Sequence, residues 1–146
     1  MTNVIHNIID YLNRNNIEYE IKNNQLINVP AFSVSGAVVS VQIFHDSTNN
    51  ILVIQVQADQ PIPCSDTNMI LEFLNVCNSD ISIGKFFLCP RCNMLTYRHP
   101  FLLTDQSLTD AQISSFIGSA VQSFLEINDS IDGDRDARSE DEEEQS

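Results

Sequence analysis

Apolar positions recur along this chain with two periods, and the switches between them mark its elements. Val4, Ile5, Ile8, Ile9 and Leu12 fall at i, i+3, i+4 spacing, which places them on one stripe of a helix. Thr2 or Asn3 can cap that helix with a short side-chain oxygen. Asn13, Asn15 and Asn16 end it, because asparagine tolerates the left-handed conformation that stops helices. The pattern then turns to short strands over Ile17–Ile21 and Leu26–Val29, with Asn23-Asn24 as the tight-turn signal between them. Pro30 lacks a backbone donor and should break that ladder. Phe32–Phe44 reads as a longer strand. Phe32 and Val34 share one phase and Ala37, Val39, Val41 and Ile43 the other, so a bulge or bend is expected at Gly36.

Asp46–Asn50 is turn chemistry, and Ile51–Ala58 is the expected hairpin partner, with Leu52, Ile54 and Val56 on one face. Ser65 or Asp66 opens a second helix whose stripe is Met69, Ile70, Phe73, Leu74 and Cys77. Asn78, Ser79 and Asp80 close it. Ile83–Cys89 and Leu95–Leu102 read as an antiparallel pair with Pro90-Arg91 at the tip. Thr109 and Gln112 form a capping box for a last helix, whose face is Ile113, Phe116, Ile117, Ala120, Val121, Phe124 and Leu125. Gly118 inside it costs about 1 kcal/mol relative to alanine, which a close approach by a neighbouring helix or the sheet would explain.

The order is α-β-β-β-α-β-β-α, with three strands or slightly more in the first group. Hairpin connections predict a mostly antiparallel sheet. One apolar face per helix predicts that the helices cover one side of it, an α+β fold. The 146 residues suit one domain, expected over 1–127. Beyond Asn128 apolar residues nearly vanish, so 128–146 is expected to be a disordered acidic tail. The net charge is −13, and from Asp129 onward nine acids face two arginines. Body and tail are both acidic and would repel phosphates, which argues against nucleic acid as a ligand. No window is long and apolar enough to span a bilayer, and no membrane partner is expected. The N-terminal residues lack the basic start and apolar core of a secretory leader, which predicts a cytoplasmic protein with reduced thiols.

The stretch 71–103 carries a family resemblance. Leu71-Glu72-Phe73-Leu74-Asn75 with Asn78 close behind, the strand entry Gly84-Lys85-Phe86, the strand end Tyr97-Arg98-His99-Pro100-Phe101 and the helix start Leu108-Thr109-Asp110-Ala111-Gln112 resemble the YbjN family of bacterial sensory transduction regulators. The resemblance covers roughly residues 2 to 127, the first third in element order alone. It implies a fold like that of type III secretion chaperones, which commonly dimerise, bind partner proteins and have no catalytic centre. The chain departs from the family at the hairpin tip. Acidic residues and glycine are usual there, and this chain has Cys89-Pro90-Arg91-Cys92-Asn93.

Candidate chemistry is sparse. Cys89 and Cys92, two residues apart across a tight turn, have the spacing of half a zinc knuckle. Cys64 and Cys77 are too far apart to form a second such pair, so a full site would need a second copy of the tip. A reversible Cys89–Cys92 disulfide is the other thiol chemistry, although the tip lacks the helix N-terminus that usually lowers a thiol pKa. His6, His45 and His99 are scattered over a helix, a turn and a strand, with no nucleophile motif beside them. Glu18 and Glu20 read as solubilising charges on an edge strand. No cofactor is expected. Val38, Phe44, Ile51, Val53 and Phe87 fall on the strand face opposite the helices and would form an exposed apolar patch, the mark of a partner or dimer interface. The sequence therefore predicts a non-enzymatic, chaperone-like or regulatory protein-binding module, acting as a dimer. A zinc- or thiol-dependent protein using Cys89 and Cys92 is the alternative.

Overall fold

The computed structural model describes residues 2–81 and 83–145, with side chains described through residue 133. Its elements are α1 (Asn3–Arg14), β1 (Glu20–Asn23), β2 (Leu26–Val34), β3 (Ala37–Asp46), β4 (Ile51–Ala58), α2 (Thr67–Asp80), β5 (Lys85–Leu88), β6 (Leu95–Leu102) and α3 (Asp110–Gln145). A single 3-10 turn, Cys64–Asp66, leads into α2.

The strands form one sheet in the order β1-β2-β3-β4-β6-β5, and each neighbouring pair is antiparallel. The first group holds four strands, because the long segment expected over Phe32–Phe44 is divided. Ser35 and Gly36 both take positive φ, 48° and 83°, so the chain reverses there in a two-residue hairpin where a bend was expected. Pro30 and Ala31 instead mark the irregularity. The β2–β3 register shifts between Val29 and Phe32, and β2 continues beyond it. A proline without a ladder donor is accommodated where the pairing is already interrupted.

The helix ends follow local chemistry. Thr2 accepts a hydrogen bond from the Ile5 amide at 3.3 Å. Asn16, at φ 54°, closes α1, with Ile17 N bonded to Leu12 O at 2.9 Å and Asn16 N to Asn13 O at 3.2 Å. At α3 the capping box forms in both directions: Thr109 N donates to Gln112 Oε1 at 2.9 Å and Gln112 N to Thr109 Oγ1 at 3.2 Å.

All three helices bank on one face of the sheet. The core joins Ile5, Ile8 and Leu12 of α1, Ile70 and Leu74 of α2 and Ile113, Ala120 and Phe124 of α3 to the inward residues Val41, Ile43, Leu52, Ile54, Val56 and Tyr97. Ile131 also reaches this core at 3% exposed, so packing continues past residue 127. Most of the acidic tail, from residue 134, lies outside the described side chains. Gly118 faces open space, so no close approach accounts for it. Gly84 is the glycine the packing demands. Its φ is +87°, and a Cβ there would lie 2.6 Å from the Tyr97 hydroxyl oxygen.

Candidate functional site

The face of the sheet opposite the helices carries two parallel rows of side chains. Register places Leu26 beside Phe44, Phe44 beside Val53 and Val53 beside Pro100, an apolar row crossing β2, β3, β4 and β6. Ile51, paired with Leu102, flanks it on the side away from the second row, and Leu102 is 81% exposed. The next row is polar: Glu20, Asn28, Gln42, Gln55, Arg98 and Lys85 succeed one another across the six strands. Gln55 donates to Gln42 Oε1 at 3.2 Å and accepts from Arg98 Nε and Nη2 at 3.1 and 2.9 Å. These bonds fix Arg98 over the Phe87 ring, 5.4 Å from its centroid.

Of the five residues expected to form one patch, the structure joins Phe44, Val53 and Ile51. It separates the other two. Val38 pairs with Ser33 near the β2–β3 turn. Phe87 lies beyond the polar row and lines a shallow groove with Leu71 and Leu74 of α2. Leu26, Pro100 and Leu102 belong to the patch and were not singled out from the sequence. Their phase depends on which strands pair, and Leu26 joins Phe44 only through the β2–β3 register.

The histidines divide by environment. His6 is exposed, while His45, expected in a turn, lies buried near the end of β3 and links three segments. Asn50 Nδ2 donates to the carbonyls of Leu103 and Asp105, so its Oδ1 accepts from His45 Nε2 at 2.9 Å. His45 Nδ1 then accepts from the Thr2 hydroxyl at 2.8 Å. His99 stacks on Phe101 with centroids 4.1 Å apart, and Phe101 stacks on Phe116 of α3. Its Nδ1 lies 2.7 Å from the Tyr97 hydroxyl. Burial pushes the His99 pKa down and the Tyr97 pKa up. Both histidines are thus fully engaged in packing. Glu20 pairs with Lys22 at 2.9 Å, which lowers its pKa, and Glu18 precedes β1. A cavity of about 400 Å³ between the end of α1, β2 and α3 is mainly apolar, lined by Tyr11, Leu12, Ile17, Val29, Phe32 and Ile117 among others.

At the β5–β6 tip the two cysteines converge. The Cys92 thiol hydrogen-bonds to the Cys89 sulfur, which also accepts from the Arg91 and Cys92 amides, and these donors hold the Cys89 pKa down. Donating to Cys89 raises the Cys92 pKa, partly offset by the Met94 amide. Cys77 sits half-buried on α2 with its pKa raised by burial, and Cys64 is exposed in the 3-10 turn. Among the described residues no group of three or more histidines, cysteines or acids could hold a metal. No described helix is long and apolar enough to cross a membrane.

Comparison with known proteins bears on this arrangement. The sequence model of YbjN, described as "Putative bacterial sensory transduction regulator", matches residues 5–132. No curated protein compared with the chain matches it. Among solved structures, the crystal structure of YbjN from E. coli, "a putative transcription regulator", superposes with a TM-score of 0.56 at 16% identity, over 85% of this chain and 90% of that one. At that identity the likeness concerns the fold.

Proposed function

Because the chain belongs to the YbjN family, we propose that it is a non-enzymatic regulatory protein that works through protein–protein contact, as a dimer built on the open face of its sheet. The observation that carries this reading is the apolar row Leu26, Phe44, Val53 and Pro100, which the helices leave uncovered. Phe44 is 37% and Leu102 81% exposed, and rows of this kind are what protein interfaces bury.

The bordering polar row favours a second copy as the occupant. It has Glu20 at the β1 edge and Arg98 and Lys85 at the β6–β5 edge. A twofold axis parallel to the strands lays each end of the row over the opposite end of its mate, acid against base, with the apolar rows meeting beside it. Such a contact joins like patches and closes after two copies.

The test is the mass in solution. Light scattering should give twice 16.4 kDa in the presence of a chelator. Phe44→Asp should halve it while the circular dichroism spectrum stays unchanged. A wild-type chain that remains monomeric at every attainable concentration overturns the proposal.

A further inference from the structure

The tip between β5 and β6 has the construction of half a metal site. Cys89 and Cys92 flank one tight turn between β5 and β6. The turn is closed by Asn93 N to Cys89 O at 2.8 Å and Cys89 N to Met94 O at 3.0 Å. Pro90 opens it with a fixed φ and no amide hydrogen to satisfy. Asn93 takes φ 56°, the left-handed geometry that turns the chain back toward β6. Its side chain is pinned, with Nδ2 donating to Ile62 O at 2.8 Å and to Thr67 Oγ1 at 3.1 Å, and its carbonyl accepting from Ile62 N at 2.9 Å. The tip is therefore anchored to the segment before α2, and Gln57 Nε2 contacts Cys92 Sγ at 3.7 Å from below.

Two cysteines two residues apart on a rigid turn are the half-set of a tetrahedral zinc site. One chain cannot complete it, since the described residues offer no third ligand at the tip. We propose that two copies of this chain join tip to tip through one Zn²⁺, bound by Cys89 and Cys92 of each. Pro90 and Arg91 are exposed at the apex, so two tips can approach. Binding replaces four thiol protons by one metal ion and leaves two negative charges on the cluster. The two Arg91 side chains, one from each tip, sit beside that charge in an otherwise acidic protein.

The test uses the full chain, kept reduced by a phosphine and freed of metal, then titrated with Zn²⁺ or Co²⁺. Saturation at one metal per two chains is expected, with the visible absorption of tetrathiolate cobalt. In Phe44→Asp, which lacks the sheet-face contact, the mass should double over that of the chelated sample, and fresh chelator should reverse the change. Cys89→Ser and Cys92→Ser should abolish uptake, while Cys64→Ser should leave it intact. Cys92→His keeps a ligand at that position and should shift the cobalt spectrum without removing it, which separates loss of the site from loss of the fold. Saturation at one metal per chain without change of mass overturns the proposal. So does a tetrathiolate spectrum that survives Cys89→Ser, or a chain that takes up no metal. Repeating the titration in Phe44→Asp keeps this contact distinct from the sheet-face dimer, so either can fail alone.

Discussion

His99 shows how a titratable side chain is spent on packing. It lies within the aromatic column of β6, stacked on Phe101 and bonded to the Tyr97 hydroxyl. Burial depresses its pKa below the ordinary value of 6.5. The unfolded chain then binds the proton more readily than the folded one. The resulting stability is complete above the unfolded pKa and is lost as pH falls from about 6.5 through the folded value. Urea midpoints measured between about pH 7.5 and about pH 5 should therefore decline more steeply for the wild type than for His99→Phe. Equal slopes would show that His99 does not titrate with folding. The sequence reveals the aromatic residues at i, i+2, i+4 spacing, but not that Phe116 of α3 extends the stack from Phe101.

At the scale of elements, short connections depend on side chains that imitate backbone. β5 has only four residues and lies at the sheet edge, paired on one side with β6. Its other side is held by Asn78 at the end of α2, which accepts from Phe86 N at 2.9 Å and donates to Phe86 O at 2.8 Å. One amide thus replaces a missing strand. Asn78→Ala removes both bonds and should cost about 1–3 kcal/mol, with amide exchange accelerating at Phe86 before it does in β3. Uniform acceleration across the sheet would instead mean that β5 has no separate anchor. Asn78 reads in sequence as a helix stop, and its second role is invisible there because Phe86 is placed by the turn at Gly84. The strand bounds show the same limit. Gly36 signals a break in phase from sequence alone, but a bulge and a full hairpin give the same signal, and the positive φ of Ser35 makes it a hairpin.

For the whole molecule, the layer arrangement decides which apolar residues are available. Helices on one face leave the other face open, and register sorts its residues into a central row and outliers. Val53→Asp, in the row, should abolish the sheet-face dimer. Val38→Asp, beside Ser33 at the far end of β3, should leave the mass unchanged. Dissociation by both in light scattering would place the contact elsewhere on the sheet.

By itself the sequence determined the element order, the caps of α1 and α3, the antiparallel pairing and the family, because each rests on periodicity or on contacts a few residues apart. It also set out the CxxC spacing of Cys89 and Cys92. Tertiary structure alone decided that Leu26 and Pro100 join Phe44 and Val53 while Val38 and Phe87 stand apart. It also decided that His45 is buried and that Asn93 ties the Cys89–Cys92 turn to Ile62 and Thr67. Those facts depend on strand register and on segments brought together from distant parts of the chain, and no local pattern of residue types encodes them.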